Sequence, residues 1–499
     1  MLKKLVDELR EISKLNGVLA LLHWDQETYM PAGAIQAKSD QAALLSRLIH
    51  ERGTSKRFKE ALGSVVDLES GLVSQAITEG ADQCIVREAY RDWKKADKIP
   101  ADFVSAFSQL TSEAQHIWVQ ARKADDYAMF SPFLSKLIRM SKEKAAFISV
   151  STPTYDVLLD EFEPGMTAEI LTPLFAKLRD GIRGILSEIE PDKGSVIGAQ
   201  NFPKDKQLSF SRTLLEDIGF DFERGRLDVS AHPFTTNFHS SDVRVTTRFK
   251  DHEIWEGITG TIHEGGHGLY EQGLQNDQYD GTPVVEAASL GIHESQSRLW
   301  ENFIGRSFSF WQFYYPKLKT LFPKQLEFVD LDSFYKELNR VVAGPIRVES
   351  DEVTYNLHIL IRYEIEQAMF SGAVDVQDLP QLWNQKYQDY LGIVPKSNAE
   401  GILQDVHWSS GAFGYFPTYA LGNLYASQLF ETALEKLPHL LAQIESGNFS
   451  GLLEWLNKNV HQGGRSLMPE ALIREVTGKG LSETSFLRYL KTKYVDKRC

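Results

Sequence analysis

Residues 263–267 read His-Glu-Gly-Gly-His, an HExxH sequence. Ile254, Ile258, Ile262 and Leu269 recur around it at helical spacing, so the motif is expected on a helix. Residues four apart share one helix face, about 6 Å apart along the axis. The imidazoles of His263 and His267 can therefore both reach one Zn²⁺ at about 2.0–2.1 Å. Glu264 is rotated about 100° from His263 and is expected to address a water molecule rather than the metal, as general base. Gly265 and Gly266 each cost a helix about 1 kcal/mol relative to Ala, which points to another backbone approaching closely. Six of the 13 histidines fall between 232 and 293.

A catalytic zinc keeps three protein ligands and one open position. The third is sought in the next apolar-periodic segment, which Thr282-Pro283 is expected to open as N-cap and first helical residue. That segment holds His293-Glu294-Ser295-Gln296, then Arg298 and Glu301. Glu294 is the expected ligand, giving a His263, His267, Glu294 site. His293 is its rival, because adjacent helical residues point about 100° apart and only one can face the metal. The chain between His267 and Glu294 is long enough for a turn and an antiparallel return. Co²⁺ or Mn²⁺ can replace zinc in such a donor set.

Most of the chain carries helical periodicity. Leu2, Leu5, Leu9 and Ile12 form one stripe, and similar stripes run through 36–50, 101–123, 131–149, 168–188, 421–445 and 482–494. Thr172-Pro173 has the form of a helix start. Strand character is scarce and strongest over 242–249, just upstream of the HExxH sequence. Residues 190–206 are rich in Gly, Pro and charge, and suggest an N-terminal helical part (1–200) and a metal-site part (201–499) within one catalytic unit, 1–499.

Composition narrows the class. The 499 residues carry 54 Lys+Arg against 68 Asp+Glu, a formal charge of −14, which argues against a nucleic-acid binder. Only Cys84 and Cys499 are present, so no disulfide framework exists and a reducing, cytoplasmic setting is expected. Lys3 and Lys4 are followed by Asp7, Glu8 and Arg10, which interrupt any signal-peptide core. Residues 406–430 lack charge over a length that can span a bilayer, but Pro417, several glycines and three tyrosines mark buried enzyme interior rather than a membrane segment.

Several motifs occur in order: His232-Pro233-Phe234, Asp242-Val-Arg244-Val-Thr246, the HExxH sequence, His293-Glu294-Ser295-Gln296, and Gly401-Ile-Leu-Gln404-Asp405-Val-His407-Trp408. Together they closely resemble the carboxypeptidase Taq family of metallopeptidases over nearly the whole chain, including Leu22–Pro31. The resemblance implies a mainly α fold, a large helical zincin with a deep central active-site groove and a small β-sheet at the groove wall. It also implies a homodimeric, zinc-dependent carboxypeptidase of broad specificity acting on peptides with a free C-terminus. Many Glu-zincins place an Asp four residues after the Glu ligand; here that position is Arg298, and Glu301 is the candidate to orient an imidazole instead.

The tetrahedral intermediate of peptide hydrolysis needs a donor beyond the metal, and the charge-free stretch offers Tyr415 and Tyr419. The resemblance favours Tyr419, twelve residues after His407, with His407 as a further donor. It also points to Arg347 as the residue that takes the substrate carboxylate, against a simple ion pair with Glu349 or Asp351. Arg244 is a second candidate for substrate contact, with Asp405 as its expected partner across the groove. His23, His50, His116, His439 and His461 lack ligand spacing and read as surface or core residues. A zinc endopeptidase or dipeptidyl peptidase with the same centre, or a non-catalytic metal-containing protein, are the competing classes.

Overall fold

The computed structural model describes every residue except Thr78, Glu79, Lys193, Val196, Ala199, Arg498 and Cys499. The reading of Cys499 lies outside the described residues; Cys84 carries a free thiol. The protein is mainly helical. The expected stripes become the helices Leu2–Thr28, Ile35–Gly53, Ala101–Ala124, Tyr127–Ile148, Ala168–Glu188 and Thr484–Tyr494. The stripe at 421–445 divides into Pro417–Lys436 and Leu440–Glu445.

Two helix starts differ from expectation. Thr167, not Thr172, caps Ala168–Glu188 by accepting from the Ile170 N–H, and Pro173 lies inside the helix. Asp156 Oδ1 accepts from the Ala168 N–H, so the first turn has its donors met without the Thr-Pro pair. Thr282-Pro283 opens only a short 3₁₀ turn, Pro283–Val285, and the helix proper is Leu290–Arg298, capped by Ser289.

The chain forms two compact units, each assembled from three stretches. The first comprises Met1–Asp97, Ser195–Leu338 and Ala426–Gly480; the second comprises Lys98–Gly194, Asn339–Tyr425 and Leu481–Cys499.

In the first unit, three short strands form one sheet of order β1-β3-β2: β1 (Gly225–Val229), β2 (Thr235–His239) and β3 (Asp242–Thr247). β3 runs parallel to β1 and antiparallel to β2, with an irregularity at Asn237/His239. Val243 and Val245 of β3 are fully buried. A Cβ on Gly268, on the helix Trp255–Gly273, would lie 2.7 Å from the Phe220 ring, with Val245 of β3 in ordinary contact at 3.6 Å. Thr261 of that helix bonds Thr247 at 3.0 Å and the Gly257 carbonyl at 2.6 Å. The sheet thus fixes one flank of the helix that carries HExxH.

The other flanks meet helices. A Cβ on Gly265 would lie 2.5 Å from the Leu215 side chain, on the helix Lys204–Ile218. A Cβ on Gly266 would lie 2.6 Å from the Gln296 carbonyl oxygen and 2.7 Å from Ser297 Cα. The close backbone approach is thus found at Gly266, where the partner is the helix Leu290–Arg298; at Gly265 the neighbour is a side chain instead.

The second unit is organised on the helix Tyr355–Ser371, which buries most of its length, including His358, Arg362 and Glu366. These three residues are spaced by four and lie on one face, all fully enclosed.

Gly266→Ala should destabilise the protein although Ala favours helix by about 1 kcal/mol, because its Cβ meets rigid backbone, a clash worth about 1–3 kcal/mol. Gly260→Ala is the control, since its Cβ meets only Pro233 Cγ at 3.8 Å and should be neutral or stabilising. Urea denaturation of both variants checks this; equal stability of G266A and G260A would contradict the packing account.

Candidate metal centre and active-site residues

His263 and His267 project from one face of Trp255–Gly273, with ring centroids 5.0 Å apart and planes nearly perpendicular. Glu294 enters from Leu290–Arg298. Its Oε2 lies 3.4 Å from His267 Nε2 and 3.8 Å from His263 Nε2. Two ligands held at about 2.05 Å on a tetrahedral ion are about 3.3 Å apart, so the donor spacing fits a zinc-sized cation. Among the described residues these three form the group able to hold a metal.

Each ligand is oriented from behind. His263 Nδ1 lies 2.8 Å from Glu301 Oε2, so Glu301 takes the place that Arg298 cannot fill. Glu294, Arg298 and Glu301 follow at spacings of four and three and share one helical face. Arg298 Nε donates to Glu294 Oε1 at 2.7 Å, and its Nη1 reaches Glu301 Oε2 at 3.3 Å. Glu301 sits in a π-helical segment, Leu299–Gly305, that continues the α-helix.

His293 is not among the three ligands. Its Nδ1 meets His267 Nδ1 at 2.5 Å and its Nε2 meets Glu271 Oε1 at 2.7 Å. The bonding pattern assigns the protons: with His267 Nε2 turned to the metal, its Nδ1–H donates to His293, whose Nε2–H donates to Glu271.

Glu264 is buried beside the ligands, and the Thr235 hydroxyl from β2 lies 2.8 Å from its Oε2. Burial raises the Glu264 carboxyl above its ordinary value, with His263 and Thr235 opposing. Burial lowers His267 to about 3, leaving it neutral as a ligand must be. Burial disfavours the charged form of Glu294, but Arg298 and His263 outweigh it and hold the carboxyl well below the usual range. For His263 burial is likewise outweighed, by Glu294 and Glu301, and its value rises.

The second unit gathers the remaining sequence-derived candidates. Arg347 Nε donates to Asp405 Oδ1 at 2.9 Å, and Arg362 Nε donates to Asp405 Oδ2 at 2.7 Å. Asp405 is thus held within its own unit by Arg347 and Arg362. Arg244 bonds Asp242 and stacks over Trp24 and Phe238 at 4.5 and 4.7 Å. Arg347 does not use Glu349 or Asp351: its Nη1 donates to Tyr355 and its guanidinium lies 4.9 Å from the Tyr419 ring centroid.

His407 Nε2 is 3.1 Å from the Tyr419 hydroxyl, and the Tyr415 ring centroid is 5.2 Å from His407. Burial, then Arg347, depresses His407 to about 3, so it is neutral. Arg362 and Tyr355 are the members that sequence reading missed. The available signal was an arginine at helical spacing from His358 and Glu366, within a helix rich in Leu, Ile and Tyr. His461 is a satisfied core histidine, as expected, bonded to Gln296 and Asn457.

The chain matches the family model described as carboxypeptidase Taq (M32) metallopeptidase over residues 4–494. It is 42% identical to carboxypeptidase 1 of Bacillus subtilis over 99% of this chain and 97% of that protein. It is also 42% identical to thermostable carboxypeptidase 1 of Thermus thermophilus, over 99% and 98%. The structure is similar to that of an M32 carboxypeptidase from Deinococcus radiodurans, with a TM-score of 0.94, 36% identity and coverage of 99% and 98%.

Glu301→Ala removes the acceptor that orients His263 and should weaken metal binding by about 10–100-fold. Glu301→Gln keeps an acceptor oxygen and should fall between it and the wild type. Competition with a fluorescent chelator measures both, and wild-type affinity in Glu301→Ala would show that the contact does not support the ligand.

Proposed function

Because this chain belongs to the carboxypeptidase Taq (M32) family of metallopeptidases, and is a metal-dependent carboxypeptidase, we propose that its metal is zinc and that it removes C-terminal residues with broad specificity. The observation that carries the metal assignment is the meeting of His263 Nε2, His267 Nε2 and Glu294 Oε2 at tetrahedral-edge distances. When bound there, the ion supplies Lewis-acid activation of water and carbonyl.

Glu264 is the general base. It accepts the proton of the attacking water and delivers it to the departing amine, with Thr235 fixing its carboxylate between the two tasks. Arg347 takes the terminal carboxylate of the substrate. Asp405 and Tyr355 hold its guanidinium, so little side-chain freedom is left to lose on binding.

Tyr419 and His407 are donors to the developing oxyanion, with Tyr415 beside them. His407 Nδ1 is buried and has no hydrogen-bond partner among the described residues. With the single proton of neutral His407 on Nε2, that N–H is placed to donate to the Tyr419 oxygen or to an oxyanion that comes within its reach. Arg244, held by Asp242 and two aromatic rings, is retained as a substrate contact.

Glu264→Gln should lose about 10²–10⁴-fold in kcat while keeping its metal. Arg347→Ala should lose about 1.5–3 kcal/mol of carboxylate recognition, roughly ten- to 150-fold in kcat/KM, on peptides with a free C-terminus. Wild type and both variants assayed on matched free and C-terminally amidated peptides provide the check. Internal cleavage of amidated peptides at comparable rates would replace the exopeptidase reading with an endopeptidase.

We also propose that the protein is a homodimer. In support, the helix Ile35–Gly53 buries no residue fully and leaves Ile35, Leu44 and Leu48 exposed, as Leu2–Thr28 leaves Val18 and Leu21. Sedimentation should give twice the chain mass, reduced by the double change Leu44→Lys, Leu48→Lys; a wild-type monomer at micromolar concentration would refute it.

A further inference from the structure

Glu366 lies fully buried on Tyr355–Ser371 and has no part in the chemistry described so far. Three donors converge on its carboxylate. Trp408 Nε1 donates to Oε1 at 2.8 Å, and Tyr155 Oη and the Gly414 N–H donate to Oε2 at 2.8 and 3.0 Å. Trp408 directly follows His407, and Gly414 directly precedes Tyr415. One carboxylate thus grips both ends of the segment that joins these two candidate substrate-facing groups.

The segment has little freedom to compensate. Gly411 and Gly414 both have positive φ, +74° and +86°. A Cβ on Gly414 would lie 2.8 Å from the Leu159 backbone nitrogen, on the helix Thr154–Leu159 that also supplies Tyr155. Burial pushes the Glu366 carboxyl up to about 7, opposed by Trp408, Tyr155, Gly414 and Arg362, so these neighbours favour its ionised form.

We propose that Glu366 is a positioning residue for catalysis, whose carboxylate clamps Trp408 and Gly414 and thereby sets the placement of His407 and Tyr415. The inference rests on the reading of His407 as a donor to substrate. It distinguishes itself from simple core filling by hydrogen-bond polarity. The indole N–H and the Gly414 N–H can only donate, so they require an acceptor. In Glu366→Gln the amide nitrogen must oppose one of them. With the amide oxygen facing Tyr155 and Gly414, the nitrogen opposes Trp408.

The experiment measures kcat, KM, metal content and thermal stability on a peptide with a free C-terminus for four variants: Glu366→Gln, Trp408→Phe, their combination, and His407→Ala. Glu366→Gln should lower kcat about tenfold or more, with KM nearly unchanged and full metal content. The combination should recover about threefold or more in kcat over Glu366→Gln, because the opposing N–H is gone. A residue that merely stabilised the core would give additive losses. Wild-type kcat in Glu366→Gln, or a combination slower than Glu366→Gln alone, overturns the proposal.

Should Glu366→Gln not fold, Tyr155→Phe removes one donor and should lower kcat about threefold, while wild-type kcat in that variant overturns the clamp. Impairment of His407→Ala with wild-type Glu366→Gln places the failure in the clamp. Wild-type turnover of His407→Ala places it in the reading of His407.

Discussion

The contact between the backbones of Trp255–Gly273 and Leu290–Arg298 at Gly266 is the constraint on which the metal centre depends. A tetrahedral donor set needs the Glu294 oxygen within about 3–4 Å of two imidazole nitrogens, and a glutamate side chain has limited reach. Only a glycine lets the second helix come near enough, with the Gln296 carbonyl and Ser297 Cα against the vacant Cβ position. The same approach brings Glu301 to His263 and His293 to His267. The other flanks of the motif helix are set by the sheet and by Leu215, so it cannot shift away to relieve the contact.

Buried charge is the second organising feature. Glu294, Arg298, Glu301 and Arg306 form one run of alternating sign in the first unit. Arg347, Asp405 and Arg362 form another in the second. Neither is a strong source of net stability, because desolvation offsets much of the attraction. What each provides is orientation: the carboxylate oxygens are tied to particular donors, and the side chains of the run are presented at fixed angles. Deleting one partner leaves the other buried and unpaired, at a cost of about 3–5 kcal/mol.

Much of this was legible in the chain. Helical stripes marked most of the long helices, since burial of one face imposes a 3.6-residue period whatever the fold. The two glycines in HExxH announced a close neighbour because their local penalty needed a compensating contact. That only one of Glu294 and His293 could face the metal followed from the helical angle. Helix starts were less legible: Thr172-Pro173 and Thr282-Pro283 have the right composition, but Thr167 and Ser289 hold the caps, since a cap is decided by which hydroxyl the folded backbone meets.

By itself, the sequence indicated the helical class and put His263 and His267 on one helical face, because both rest on spacings along a single helix; that Glu294 meets them depends on a second helix packing alongside. Tertiary structure alone decided the partners. Asp405 is shared by Arg347 and Arg362, His293 passes its contact to Glu271, and Glu366 draws donors from residues 155, 408 and 414. Local spacing reports which face a side chain occupies. It does not report which of many distant faces will pack against it, and the bonding of a buried charge is fixed only when that packing is complete.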